Sequence, residues 1–340
     1  MIYKDLLLQG FEEVKKIDGK EGVLLQRVPR DIRKTFKENT SNMLKKPAGN
    51  EIRFVPLEKK IKISLASYLD EYDEEGTVAC VYYGDFQDRV YSIGQEPVEI
   101  EINLPEMITK YYESGLPFIY NPKVVRIMLR HGNVHLVDIK GKTRVPRKGE
   151  IPKNTMLSYG TSITHGSTAT LPSLAYAKLT AWRLKMDSIN LGVAGTAVCE
   201  NEMADYIADR NDWDILTLCL SVNMLNLAYT AEEFYSRAYY MVNTIAEKNP
   251  DKKIFCISII KSYHDAGIIK EEVKTVSTPN KYRNALQDIV EKINSKNVIY
   301  IDGMNLLDNY NGMTTGILHP GDYGMIDISN SLYKKIKEYL

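Results

Sequence analysis

Apolar and polar positions alternate with a period of two over much of the first 150 residues. Ile61, Ile63 and Leu65 interleave with Lys60, Lys62 and Ser64, and Val98, Ile100 and Ile102 with Glu99, Glu101 and Asn103. One face of each stretch can then be buried and the other solvated, as in half-buried antiparallel strands. The pattern predicts strands over 23–28, 51–55, 61–66, 77–83, 89–93, 98–104, 124–129 and 134–139. Gly, Pro and Asp breaks at regular spacing point to an all-β sandwich, jelly-roll-like, with His131-Gly132-Asn133 as a hairpin turn. Residues 31–44 are polar and irregular and read as a loop or short helix.

The texture changes after residues 141–153, a basic stretch with Pro146, Gly149 and Pro152 and little apolar content that reads as an interdomain linker. Short apolar runs at 155–159, 188–191, 215–220, 254–260 and 298–301 then alternate with helical patterns at 172–186, 231–248, 280–294 and 329–339. Pro172 suits a first helical position. Thr230 and Glu233 form a capping-box pattern ahead of the second helix. Strand–helix alternation predicts a parallel sheet covered by helices, with right-handed crossovers. The expectation is therefore two domains, an all-β one over 1–150 and an α/β one over 151–340.

Composition narrows the function. Lys+Arg and Asp+Glu are both 44 in 340 residues, so no basic excess exists to bind phosphate, and nucleic acid is excluded as the main partner. No apolar run reaches transmembrane length, which excludes a membrane partner of that kind. The N-terminus carries an acid and then too short an apolar run for a signal peptide. Cys80, Cys199, Cys219 and Cys256 are widely spaced in apolar contexts and read as reduced core residues of a cytoplasmic protein, unless a leader has been removed. No cluster has metal-ligand spacing, so neither metal nor cofactor is expected.

The candidate chemistry falls just after the predicted strands of the second half. Gly160-Thr161-Ser162-Ile163-Thr164 follows the first, Gly192-Val193-Ala194-Gly195 the second, Ser221-Val222-Asn223 the third and His319-Pro320 the fifth. Open α/β sheets place ligands at the carboxyl ends of their strands. Acyl transfer needs a hydroxyl nucleophile, a base for its proton and donors aimed at a developing oxyanion. Ser162, His319, a glycine N–H and the Asn223 amide supply that set at one sheet edge. Taken singly, each has a plainer reading: a Ser/Thr-rich turn, a glycine turn, a helix cap at Asn223, a loop histidine.

In this order the four segments resemble the blocks of the SGNH (GDSL-like) hydrolase superfamily, in its branch with an N-terminal β-sandwich. Thr161 stands in the Asp place of the Gly-Asp-Ser block. The resemblance spans 154 to about 330; Ala48-Gly49-Asn50-Glu51-Ile52-Arg53-Phe54 resembles the sandwich domain less specifically. It implies a flavodoxin-like three-layer α/β/α domain and ester hydrolysis. Ser162 would be the nucleophile and His319 the base, with the N–H groups of Ser162 and Gly195 and the Asn223 side chain as oxyanion hole. No Gly stands two residues after Ser162, so the Gly-x-Ser-x-Gly elbow does not fit.

One departure stands out. The family usually carries Asp three residues before the histidine, and here that residue is Gly316. Related carbohydrate esterases use a Ser–His dyad whose ring is held by a backbone carbonyl; Asp322, Asp308 or Asp302 could serve instead. The resemblance implies a short-chain acyl esterase, acetyl on carbohydrate first, acting on a small-molecule or oligosaccharide ester, with homo-oligomerisation open. The alternatives are a lipase or lysophospholipase and a carbohydrate-binding protein with a decayed hydrolase domain. His165 reads as pocket-lining or as an exposed loop residue, Trp182 as core rather than a sugar platform, and Trp213 as either core or a sugar platform.

Overall fold

The computed structural model describes residues 1–69 and 76–340. These fall into two compact units. The first comprises 1–153 with 171–173 and 185–189; the second comprises 154–170, 174–184 and 190–340.

Among the described residues the first unit holds two antiparallel sheets. One runs in the order Ile2–Tyr3, Leu6–Gln9, Glu51–Pro56, Val125–Leu129, Thr77–Tyr83, Phe86–Ile93, with Thr143–Arg144 also paired to Glu51–Pro56. The other runs Glu13–Lys15, Val23–Gln26, Val134–Lys140, Ile61–Ser67, Val98–Ile102. Both sheets feed one apolar core: Ile52, Phe54, Val81 and Ile127 from the first meet Ile61, Ile63, Ile100 and Val134 from the second. The period-two pattern is the cause. Ile61 faces Ile102 and Ile63 faces Ile100 across the ladder, while Lys62 pairs with Glu101 and Ser64 with Glu99 on the opposite face. Pairing the apolar positions cross-strand is what fixes this register, since a one-residue slip would turn every one of them outward.

Two expectations change. His131-Gly132-Asn133 does not close a hairpin, because the strands on either side belong to different sheets. Val125–Leu129 is already paired on both edges, by Glu51–Pro56 and Thr77–Tyr83. Residues 141–153 are not a free linker. Thr143 and Arg144 pair with Pro56 and Val55, and Arg144 holds Glu150 through two 2.7 Å bonds. Around 31–44 the short-helix reading holds, with Arg30–Arg33 and Glu38–Met43 each helical. A third helix, Glu106–Glu113, buries no residue and so left no core-facing pattern to read.

The second unit contains four strands adjacent in one sheet in the order Thr155–Gly160, Ile215–Cys219, Lys253–Ile257, Val298–Ile301. The pairs along these four strands are parallel. Asn201–Ala208 packs on Ala231–Lys248, which packs on Pro279–Ile293, while Tyr176–Arg183 packs with Asp322–Lys337. The capping box holds as expected: Thr230 Oγ1 accepts from Glu233 N–H, and Glu233 accepts from Thr230 N–H at 2.7 Å. Such a cap is worth about 1 kcal/mol. Trp182, expected in the core, is 41% exposed at the end of its helix, whereas Trp213 is buried with Lys252 Nζ 4.0 Å from its ring centre. All four cysteines are free and buried. Among the described residues no helix is long and apolar enough to cross a membrane.

Candidate active site

The strand Thr155–Gly160 delivers Ser162 to the carboxyl edge of the parallel sheet. Gly160 is required there for closeness, not for an unusual bend: a Cβ would lie 2.3 Å from Thr164 Oγ1 and 2.6 Å from the Cys219 carbonyl oxygen. Ser162 opens a single helical turn, Ser162–His165, closed by Gly166 in the left-handed region at φ 82°. Its N–H lies in the first turn, where the helix supplies no acceptor.

His319 comes from the loop ahead of the helix Asp322–Lys337, 157 residues further along, and its Nε2 lies 2.7 Å from Ser162 Oγ. This loop is fastened largely through its main chain. Thr314 N–H and Oγ1 both donate to the His319 carbonyl, Gly321 N–H donates to the Gly312 carbonyl, and Tyr263 N–H donates to the Ile317 carbonyl. Burial lowers the His319 pKa, and the charge of Lys270 lowers it further. The ring is therefore neutral at neutral pH, and its Nε2 can accept the Ser162 hydroxyl proton.

Asn223 lies in the short helix Val222–Asn226 after the strand Ile215–Cys219, so it sits within the helix rather than capping it. The residue before that helix, Ser221, holds φ 99°. A non-glycine residue in this region stores strain, of the kind that concentrates at functional sites. With its amide oriented to suit its neighbours, Asn223 Oδ1 accepts from Thr196 N–H and Ala197 N–H, each at 3.0 Å. That anchor turns Nδ2 away from the loop and leaves it as a donor. Gly195, at φ 75°, precedes the two anchoring residues, and nothing lies within 4 Å of where its Cβ would be.

The other expected residues fall elsewhere. Asp322 accepts from Thr170 N–H at 2.8 Å and Thr170 Oγ1 at 2.6 Å. Asp302 accepts from Met304 N–H and Asn305 Nδ2. Gly316 has open space around its Cβ position, and it is the next residue, Ile317, that takes a positive φ of 48°. His165 is buried, not exposed, with Nδ1 3.4 Å from Ser167 Oγ. Among the described residues no group of three His, Cys, Asp or Glu could hold a metal ion.

Sequence reasoning missed one partner of this loop system. Glu200 precedes the helix Asn201–Ala208, accepts from Tyr159 OH at 3.2 Å and from Val198 N–H at 3.3 Å, and its pKa is raised by burial. Its position one residue past Cys199, in a run with no helical signal, left nothing to mark it.

A family model described as "GDSL-like Lipase/Acylhydrolase family" matches residues 153–337. No curated protein matches. Among solved structures, the chain is similar to a salicylyl acyltransferase from a tetracycline biosynthetic pathway, at 18% identity and TM-score 0.78 over 98% of this chain and 94% of that one. It is also similar to a family two carbohydrate esterase from Clostridium thermocellum solved with cellohexaose, at 13% identity and TM-score 0.61 over 98% and 100%. A third is an acetyl xylan esterase from the rumen bacterium Butyrivibrio proteoclasticus, at 12% identity and TM-score 0.57 over 99% and 96%. At these identities the likeness is one of fold.

Proposed function

From the premise that the chain belongs to the GDSL-like lipase/acylhydrolase family, we propose that it is a serine esterase for short acyl groups, with Ser162 as nucleophile and His319 as general base. The observation that carries this reading is the 2.7 Å approach of His319 Nε2 to Ser162 Oγ at a sheet edge. We read the second unit as a flavodoxin-like three-layer α/β/α domain and the first as a β-sandwich accessory domain.

The proposed steps are those of acyl transfer through a serine. Ser162 Oγ bonds to the ester carbonyl carbon as its proton passes to His319 Nε2. The carbonyl oxygen becomes an oxyanion, met by the N–H groups of Ser162 and Gly195 and by Asn223 Nδ2. These donors are aimed in advance, so they cost no reorganisation as charge develops. Collapse breaks the carbon–oxygen bond to the alcohol, which leaves with the proton from His319. Water then attacks the acyl-serine and gives one proton to His319. Collapse returns that proton to Ser162 Oγ and releases the carboxylic acid.

We further propose that His319 works in a dyad. Gly316 offers no carboxylate, and the oxygens of Asp322 and Asp302 are engaged by their own neighbours. A carbohydrate acetyl ester is the substrate class suggested by the similar carbohydrate esterase and acetyl xylan esterase, which is an argument from likeness.

A fluorophosphonate serine probe tests the assignment. Labelling of the native chain that vanishes in Ser162→Ala, with turnover of p-nitrophenyl acetate, is the expected result. An unlabelled, folded chain with no activity on acyl esters or acetylated sugars would leave a carbohydrate-binding protein as the better account. A preference for long acyl chains would make it a lipase.

A further inference from the structure

The loop from Gly192 to Cys199 carries the Gly195 N–H and the amides of Thr196 and Ala197 that anchor Asn223. Its start is fastened to the chain around Ser162. Val193 N–H donates to the Gly160 carbonyl at 2.8 Å. Gly192 N–H donates to Asn190 Oδ1 at 2.8 Å, and Asn190 Nδ2 donates to the Thr164 carbonyl at 2.7 Å.

The far end of the loop closes on Glu200. One oxygen, Oε2, accepts from Val198 N–H at 3.3 Å and from Tyr159 OH at 3.2 Å. Tyr159 is buried on the strand Thr155–Gly160, which delivers Ser162. The Val198 carbonyl accepts from Arg237 Nη1 at 3.4 Å, so the residue after the Asn223 anchor is held at both its N–H and its carbonyl. Between Val198 and Glu200, Cys199 takes a positive φ of 53°. That conformation is unfavourable for a residue with a Cβ and persists where its surroundings over-determine it. The Glu200 carboxyl, reaching back past Cys199 to the Val198 N–H, supplies such a constraint. Both ends of the loop are thus tied to one strand, at Gly160 and at Tyr159, and the oxyanion donors lie between the two ties.

We propose that Glu200 is a positioning residue for the oxyanion hole: its carboxyl bridges Val198 to Tyr159 and so fixes where the Gly195 N–H and the Asn223 amide stand relative to Ser162. This rests on the esterase reading. Glu200 touches no reacting atom. It acts by keeping the donors aimed, and a misplacement of about 1 Å in such a site can cost on the order of 10²-fold in rate.

Glu200→Ala tests this with p-nitrophenyl acetate as substrate. It should lower kcat by about 10- to 100-fold and leave KM within about twofold of native, because the donors act on the transition state. Glu200→Gln keeps an oxygen acceptor at the same reach and should return kcat to within a fewfold of native. Coupling separates positioning from a plain loss of stability. In the Asn223→Ala background, where one donor is already gone, Glu200→Ala should cost at least about fivefold less than it does in the native chain. Tyr159→Phe breaks the strand end of the bridge while keeping the ring, and should likewise lower kcat without moving KM; it serves should Glu200→Ala fail to fold. The proposal is overturned by a kcat within about twofold of native in the folded variants, by an effect carried in KM, or by losses that multiply in full with Asn223→Ala. Glu200→Gln as slow as Glu200→Ala would also overturn it. If the native chain is not labelled at Ser162 by the fluorophosphonate probe, the esterase reading has failed instead; a native chain that labels and turns over, with unmoved variants, means that this proposal alone has failed.

Discussion

Polar groups are buried in both units, but under opposite conditions. In the first unit Glu51 and Arg53 are fully buried on the strand whose other face sends Ile52 and Phe54 into the core. Glu51 accepts from Arg53 Nε and from Arg126 Nε and Nη2, and Asp187 accepts from both terminal nitrogens of Arg53 and from Tyr120 OH, all within 2.9 Å. Burial by itself would depress the Arg53 pKa, but Asp187 and Glu51 outweigh it and hold it well above the ordinary arginine value. At the sheet edge of the second unit, by contrast, Thr161 and Ser262 keep hydroxyls with no hydrogen-bond partner among the described residues, and the Ser162 hydroxyl meets the His319 base. A charge network whose partners are all in place specifies one geometry and leaves nothing for a ligand. Polar atoms that the packed chain leaves unpaired fix no such geometry and are a reserve for water or a ligand.

The largest effect should come from the reserve side. His319→Ala should lower kcat by about 10⁶-fold, the scale on which a nucleophile–base pair acts as a unit, with Tm barely moved. On the network side, Arg53→Met removes both guanidinium bonds from the buried Asp187 and one from Glu51, and should cost about 3–5 kcal/mol of stability, on the order of what breaking a buried ion pair costs, read from denaturant unfolding of the whole chain. A smaller loss would mean water reaches the cluster. Asn223→Ala should lower kcat by on the order of 10²–10³-fold with little change in KM, since its donor acts on the oxyanion. A change confined to KM would instead make Asn223 a substrate-binding residue.

Two finer tests concern His319. Its lowered pKa keeps the base neutral over a wider range, so kcat/KM should stay flat from neutral pH downward and fall only below the ordinary histidine value of about 6.5. Lys270→Met should move that acid limb up slightly by removing a repelling charge; a limb unmoved would detach Lys270 from the site. Smallest of all should be Asp302→Ala, Asp308→Ala and Asp322→Ala, each costing a fewfold or less in kcat. A near-complete loss in one of these folded variants would replace the dyad with a displaced triad.

How much of this was legible in the chain varied with the physics. The strands whose two faces differ, such as Ile61–Ser67 and Val98–Ile102, were readable because burial of one face writes alternation into the sequence. Ile2–Tyr3 and Glu13–Lys15 are too short to show a period. Ser162, Gly195, Asn223 and His319 carried a residue-type signal in the segments that follow the strands. The anchoring of Asn223 by Thr196 and Ala197 was not readable, because every residue but proline has an N–H and its use leaves no mark. The need for Gly160 was hidden for a related reason: proximity to Cys219 on the neighbouring strand is set by the sheet, not by local sequence. The unpaired state of Thr161 and Ser262 is likewise a property of the packed chain alone.

The loop that carries His319 is tied down by the amides of Thr314, Gly321 and Tyr263. Main-chain bonds of this kind open only when the segment itself unfolds locally, so the free energy of that opening sets how long the base stays in place. Amide exchange at those three positions therefore reads the lifetime of the assembled site directly. Heating or mild denaturant should then extinguish activity at the point where these amides lose protection, even while the cores of both units still hold theirs.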